Sequence, residues 1–146
     1  MIARKRGWIL NISSATAFHP AKPPYIEWER SGGHHLYAAS KAALDRMSTG
    51  LAAEFHAHGI AVNALAPVAA VITPGVEAMG VGKWIEPSMI EPVEAMAEAA
   101  LALCSGDPAK LTGRVAYSLR FLEEIGRPIR TLDGRALHEG SGAASR

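Results

Sequence analysis

The 146-residue sequence is poor in cysteine and carries almost no net charge. Its single cysteine, Cys104, excludes an internal disulfide and a cysteine-rich metal cluster, and one thiol is typical of a protein of the reducing cytoplasm. Fifteen Lys and Arg against fourteen Asp and Glu leave a net charge of +1. A basic surface for nucleic acid or for an anionic membrane is therefore not expected, and neither partner is predicted.

The sequence also lacks a long hydrophobic run. Its start, Met1–Arg6, is basic, but the apolar stretch that follows extends only from Trp8 to Leu10 before Asn11 interrupts it. This stretch is shorter than the core of a signal peptide, and nothing approaches the roughly 20 apolar residues of a membrane span. What is present, 49% apolar and 20% charged residues, is typical of one globular domain.

The order of the predicted elements indicates an α/β fold. Two short apolar runs without helical periodicity, Gly7–Ser13 and Ile60–Ala66, predict strands that are buried on both faces of a parallel sheet. Apolar residues at steps of three and four predict helices over Tyr37–His58 and over about Pro92–Cys104, and Gly113–Ser118 predicts a third strand. Strands alternating with helical crossovers predict a parallel sheet.

Two segments rich in proline and glycine, Ala15–Leu36 and Pro67–Glu91, are predicted to be surface loops, and loops of this length are often functional. The domain is expected to span residues 1–126. Residues 127–146, which follow Gly126, are expected to form a poorly ordered tail. Cys104, late in an apolar helix, is expected to be a buried packing residue.

Tyr37 and Lys41 are the sharpest chemical feature of the sequence, because a spacing of four residues places both on one face of the predicted helix. A tyrosine that serves as a base near neutral pH needs its pKa lowered by roughly three units, or about 4 kcal/mol. A cation about 4 Å away at an effective dielectric near 20 supplies about 4 kcal/mol. The pair alone is a weak signal, but Ser13 and Ser14 end a predicted parallel strand, where open α/β sheets bind ligands.

With these motifs in place, the sequence resembles the short-chain dehydrogenase/reductase family. The matching segments occur in the family's order and are GWILNISS (residues 7–14), YAASKAAL (37–44), GIAVNALAP (59–67) and, more loosely, residues 91–104 and 111–115. The resemblance implies a partial Rossmann-like, doubly wound parallel sheet. It corresponds to the second half of the fold, with about three strands and their crossover helices.

The resemblance also implies a reaction and a set of site residues. Ser14 looks like the serine that orients the substrate oxygen, with Ser13 as the less favoured candidate. Tyr37 looks like the general acid/base, and Lys41 would lower the pKa of Tyr37 and hydrogen-bond the nicotinamide ribose. The resemblance implies that Tyr37 and Lys41 both also belong to the cofactor-binding residues. The implied reaction is hydride transfer between NAD or NADP and an alcohol or carbonyl carbon.

The segment after Pro67 departs from the family pattern. Val68 replaces the usual glycine, and Thr73 lies six positions after the proline where the family has a threonine at five. A one-residue insertion would restore the geometry, so the resemblance implies that Pro67, Val71 and Thr73 lie near the nicotinamide.

Three loop histidines, His19, His34 and His35, could suggest a metal site or a second proton relay. No acidic residue or cysteine stands beside them at ligand spacing, and solvated loop histidines are more common. No metal is therefore predicted.

Two hypotheses about function remain open, because the glycine-rich turn with which family members begin is absent from the sequence. The first is an oxidoreductase whose amino-terminal half lies outside this sequence, acting as a homo-oligomer or in association with that half. The second is a truncated remnant without catalysis, acting as an interaction module. A glycine-rich segment encoded upstream of Met1 would favour the first hypothesis.

Overall fold

A three-stranded parallel sheet organises the chain. The computed structural model describes residues 1–139 except 21, 26, 31, 79 and 81–84. The strands β1 (Gly7–Ile12), β2 (Ile60–Ala66) and β3 (Val115–Tyr117) lie in the order β1-β2-β3, with Ile12 opposite Leu65 and Ala66 opposite Tyr117. Every residue of β2 is buried because this strand has a neighbour on each side and helices on both faces.

Helices connect the strands and cover the sheet. The described residues contain the α-helices α1 (Glu27–Arg30), α2 (His35–Phe55), α3 (Pro74–Ala78), α4 (Val93–Ser105) and α5 (Ser118–Glu124). Short 3-10 turns occupy Ile2–Arg4, Ala15–Ala17, His56–His58 and Pro87–Met89. In this part of the chain, no helix combines the length and the hydropathy needed to cross a membrane.

The two faces of the sheet have separate cores because alternate residues of a strand point to opposite sides. On one face Val62 packs near Ala52 of α2. On the other face Leu65 packs with Leu103 of α4 and Phe121 of α5. Helices on both faces of a parallel sheet define a doubly wound α/β arrangement, so the predicted fold class is confirmed.

The predicted elements agree closely with the observed ones. β2 has the predicted bounds, and the long helix α2 begins two residues before Tyr37 and continues through the 3-10 turn at His56–His58. It ends at Gly59, whose φ of 67° suits glycine and where a Cβ would overlap the carbonyl oxygen of Lys5. Helix α5 was not predicted, because its seven residues are too few to show a period.

Asn63 in the middle of β2 is 1% exposed and holds the turn that leads into β3. Its Nδ2 donates to the carbonyl oxygen of Leu111 at 3.0 Å, and its Oδ1 accepts from the backbone N–H of Arg114 at 2.9 Å. The backbone of Val62 adds two bonds, one from its N–H to Thr112 Oγ1 and one from the N–H of Gly113 to its carbonyl oxygen.

The prediction that Cys104 is buried is wrong, because the residue is exposed. Helix α4 buries Ala102 and Leu103, and one further residue turns the side chain by about 100° toward solvent. Partial desolvation nevertheless raises the pKa of the Cys104 thiol above its ordinary value.

The segment after Gly126 contacts α4. Arg127 Nε lies 2.7 Å from Glu98 Oε2, and Arg130 Nη1 lies 3.9 Å from Glu98 Oε1. His138 Nε2 lies 3.8 Å from Glu94 Oε2. Residues 140–146 of the expected tail lie outside the described residues, and the division of the chain at residue 126 stays a prediction.

Candidate functional site

A cleft of about 870 Å³ opens at the carboxyl ends of β1 and β2. It is lined by residues 14–20, by the start of α2, by residues 67–70 and by residues 85, 86 and 89, with Glu29 at one side. Most of the lining is apolar, with Phe18, Val68 and Met89 among the larger side chains. This is the place where open α/β sheets bind ligands.

Ser14 lies in the cleft just after β1 and caps the 3-10 turn at Ala15–Ala17. Its Oγ accepts hydrogen bonds from the backbone N–H of Thr16 at 3.2 Å and from Thr16 Oγ1 at 3.0 Å. Because the oxygen is the acceptor in both bonds, the hydroxyl proton of Ser14 is left to donate into the cleft. Ser13 is 4% exposed, and its Oγ has no hydrogen-bond partner among the described residues.

Tyr37 and Lys41 meet on one face of α2. Lys41 Nζ lies 5.5 Å from the centroid of the Tyr37 ring and donates a hydrogen bond of 2.8 Å to the carbonyl oxygen of Ile12. The ammonium therefore links the phenol ring to the end of β1, two residues before Ser14. The Tyr37 side chain is half exposed.

The three predicted catalytic residues do not all face the cleft. Ser14 lines it, but the face of α2 that lines it carries Ala38 and Ala42, each one residue beyond Tyr37 and Lys41. One residue along a helix is a rotation of about 100°, so the Tyr37–Lys41 pair lies on the flank of the cleft.

Residues 67–70, which follow β2, form one wall of the cleft, and the N–H groups of the last three hydrogen-bond within the protein. The N–H groups of Val68 and Ala69 donate to Glu91 Oε2 at 2.8 and 3.2 Å, and the N–H of Ala70 donates to the carbonyl oxygen of Met89 at 2.7 Å. These three amides are therefore not available to a ligand.

The next residues of the same wall differ. The N–H groups of Val71, Ile72 and Thr73 donate to no acceptor in the part of the chain that the structure describes. Pro67 lines the cleft, whereas Val71 and Thr73 lie beyond its lining. Thr73 Oγ1 accepts from the N–H of Val76 at 3.3 Å and so caps the start of α3.

Two features of the site could not be found by sequence reasoning. Glu91 is 3% exposed, and its Oε1 accepts a hydrogen bond of 2.5 Å from Ser118 Oγ. Phe18 stacks on Tyr117 with ring centroids 4.7 Å apart and so joins the Ser14 segment to the end of β3. A glutamate before a helix is common on protein surfaces, so the sequence held no signal that Glu91 is buried.

The environment of Tyr117 is electrostatically distinct. Burial raises the pKa of its phenol above the ordinary value, the nearby Asp45 carboxylate raises it further, and Arg120 opposes both. Asp45 Oδ1 is buried and has no hydrogen-bond partner among the described residues.

The three histidines lie together at the cleft without forming a metal site. His19, His34 and His35 all line it, and the rings of His34 and His35 have centroids 4.5 Å apart. Across residues 1–139, apart from the few positions left undescribed, no group of three or more His, Cys, Asp or Glu side chains could hold a metal ion.

The comparisons with known proteins agree with this fold. The family model of short chain dehydrogenases matches residues 1–80, which is more than half of the chain. Galactitol 2-dehydrogenase of Rhizobium johnstonii is 32% identical in an alignment of 123 residues that covers 79% of this chain and 44% of that protein.

Two solved structures carry nicotinamide cofactors in their descriptions. A structure described as ElxO with NADP bound has a TM-score of 0.61 and 27% identity, covering 81% of this chain and 47% of that one. A 3-oxoacyl-[acyl-carrier protein] reductase from Brucella melitensis with bound NAD has a TM-score of 0.54 and 30% identity, covering 80% and 41%.

These matches show that the chain has the Rossmann-like α/β fold of a class of oxidoreductases. More particularly, the chain belongs to the short chain dehydrogenase family. It spans a little under half the length of the galactitol dehydrogenase and of both solved structures.

Proposed function

We propose that this chain carries the catalytic residues of an NAD(P)-dependent oxidoreductase that transfers hydride between nicotinamide and an alcohol or carbonyl carbon. The family and the dehydrogenase and reductase names of its relatives support the reaction class. The related structures with NADP and NAD support a nicotinamide cofactor. Because the chain spans about half of its relatives' length, the activity is proposed for the whole protein.

Each proposed catalytic residue has a chemical task. The hydroxyl of Ser14 donates to the substrate oxygen and orients it, because its lone pairs already accept from Thr16. Tyr37 lies on the flank of the cleft, so it would exchange a proton with that oxygen, as general acid or base, when the substrate extends from the cleft to the Tyr37–Lys41 face of α2. Lys41 holds a positive charge beside the phenol ring and is itself positioned by the carbonyl oxygen of Ile12.

The residues present fit one end of the cofactor. The N–H groups of Val71, Ile72 and Thr73, which donate to no acceptor among the described residues, offer donors to the nicotinamide carboxamide, and Lys41 offers a donor to its ribose. Pro67 turns the chain at the rim of the cleft. When bound, the nicotinamide supplies the hydride acceptor or donor.

The residues present do not fit the pyrophosphate end. In the described residues no helix that follows a strand begins with a glycine-rich turn, which is the element that binds pyrophosphate in this fold. That group would have to be held by other protein, either a further segment or a second polypeptide.

The partners proposed for the whole protein are a small alcohol or carbonyl substrate and further copies of the chain or a complementary half. The open edge of β1 supports association, because the described residues contain no strand on that side. A cytoplasmic location stays a prediction that rests on the single cysteine.

The Lys41 contact carries the proposal, since one ammonium reaches both the Tyr37 ring and the end of the Ser14 strand. The test is NADH and NADPH turnover with a panel of ketones, using protein purified from its native host at whatever length it has there. We expect Tyr37→Phe to lower kcat by about 10²- to 10⁴-fold, the usual contribution of general acid–base catalysis, with cofactor affinity nearly unchanged.

The matched control is Tyr25→Phe, an exposed tyrosine that takes part in none of the cation–ring contacts among the described residues. We expect Tyr25→Phe to keep full turnover. Undiminished turnover of Tyr37→Phe would remove Tyr37 from its role. Absence of turnover in the wild-type protein with every ketone and both cofactors would favour the second candidate, an interaction module that binds through the open edge of β1.

A further inference from the structure

We propose that Glu91, held by Ser118, is a positioning residue that sets the conformation of the segment 67–73, whose first four residues line the cleft. The inference rests on the proposed function, because it concerns which backbone N–H groups this wall offers to a bound ligand. Glu91 neither lines the cleft nor belongs to the predicted site.

The carboxylate of Glu91 is buried, and both of its oxygens accept hydrogen bonds. One oxygen accepts from the N–H groups of Val68 and Ala69, and the other accepts from Ser118 Oγ at 2.5 Å. None of the ion pairs among the described residues involves Glu91. Hydrogen-bond donors, together with the amino end of α4, which starts two residues later, therefore compensate the charge.

The backbone repeats the connection that the carboxylate makes. The N–H of Ala70 donates to the carbonyl oxygen of Met89, and the N–H of Glu91 donates to that of Ala70 at 2.8 Å, which forms a parallel bridge between Ala70 and Ile90. The side chain thus extends a short ladder by two more bonds toward the end of β2. Ser118 anchors this ladder to the junction of β3 and α5.

A functional consequence follows from the order of the amides. Backbone N–H groups of loops at strand ends are ready donors for ligand oxygens, and an internal carboxylate here occupies those of Val68 and Ala69. The N–H groups of Val71, Ile72 and Thr73, just beyond the cleft lining, donate to no acceptor among the described residues and are the ones proposed to meet a ligand. Because Glu91 occupies the N–H groups of Val68 and Ala69, the donors proposed for a ligand begin further along the segment from Pro67.

The test measures amide hydrogen exchange by NMR on the isotopically labelled 146-residue chain. Glu91→Gln keeps the shape of the side chain but removes its charge. We expect exchange at Val68 and Ala69 to accelerate about tenfold relative to Ala64 of β2, and their amide-proton signals to move upfield. The Ala70 amide signal, which depends on Met89, should stay in place.

The matched control is Glu123→Gln, the same change at an exposed glutamate of α5, which should leave all of these amides unchanged. Equal acceleration at Ala64 would mean a general loss of stability and would overturn the positioning role, as would unchanged exchange at Val68 and Ala69. If Glu91→Gln does not fold, Ser118→Ala keeps the carboxylate. It should accelerate the same two amides by about threefold, and no effect there would also overturn the proposal.

This measurement requires neither cofactor nor turnover. Its failure would leave the Tyr37→Phe test of the proposed function untouched, and a failed turnover test would leave the exchange result standing.

Discussion

The ion pair between Glu98 and Arg127 permits a quantitative prediction about the carboxyl-terminal segment. The Glu98 side chain is 8% exposed, and Arg127 Nε at 2.7 Å is its close cationic partner, since Arg130 lies 3.9 Å away and is about half exposed. Removing one partner of a buried pair costs about 3–5 kcal/mol. Because Arg127 is a quarter exposed and Arg130 remains, we expect Arg127→Met to destabilise the chain by about 2–3 kcal/mol.

The assay is thermal and urea unfolding followed by circular dichroism. At this chain length about 2–4 °C of Tm corresponds to each kcal/mol, so the expected fall in Tm is about 4–12 °C. Arg135→Met is the matched control, because Arg135 is 87% exposed and its pair with Asp133 spans 3.9 Å. That variant should change stability by no more than about 0.5 kcal/mol.

A double variant isolates the cause. Adding Glu98→Leu to Arg127→Met removes the uncompensated carboxylate, so part of the lost stability should return. If Arg127→Met behaved like Arg135→Met, the carboxyl-terminal segment would not be docked on α4 in solution. The expectation of a poorly ordered tail from residue 127 would then be supported instead.

Two further predictions concern single titrating groups. In a spectrophotometric titration, Tyr117 should ionise above the ordinary tyrosine pKa, because burial and then Asp45 raise its pKa, and Asp45→Asn should lower that pKa without restoring the ordinary value. Since the folded-state pKa is the higher one, the stabilisation from Tyr117 is present below about pH 10 and lost as the pH rises further, and Tyr117→Phe should remove this loss. If the phenol signal that Tyr117→Phe removes titrated at the ordinary tyrosine pKa, the reasoning would be contradicted. Cys104 should react completely with iodoacetamide in the native protein because it is exposed, but more slowly than a free thiol because its raised pKa lowers the thiolate fraction. Protection of Cys104 until unfolding would restore the buried assignment.

The strands and long helices were predictable because the burial of one or more of their faces leaves an apolar run or a periodic pattern of apolar residues in the sequence. β2 has a strand on each side and helices over both faces, so its seven residues form one apolar run interrupted only by Asn63. The pairing of Tyr37 with Lys41 also followed from helical geometry. Local periodicity reports on one element at a time, and for that reason it was informative at these positions.

The cleft wall was not predictable, because its structure depends on contacts between distant segments. Glu91 reaches back 23 residues to Val68 and forward 27 residues to Ser118. Likewise, the stack of Phe18 on Tyr117 joins the segment after β1 to the end of β3, which no period in the sequence connects. Which side of α2 faces the cleft depends on how the helix packs on the sheet. The sequence alone does not show whether that side carries Tyr37 or its neighbour Ala38.

The side-chain amide of Asn63 fixes the length of the turn between α4 and β3. Its two ends contact backbone groups three residues apart, at Leu111 and Arg114, and the side chain is rigidly held inside the sheet. One residue inserted between those positions breaks at least one bond and strands a polar group away from water. Changes of chain length during evolution are therefore costly at this turn, and more easily accommodated at exposed loops such as the one around Gly134.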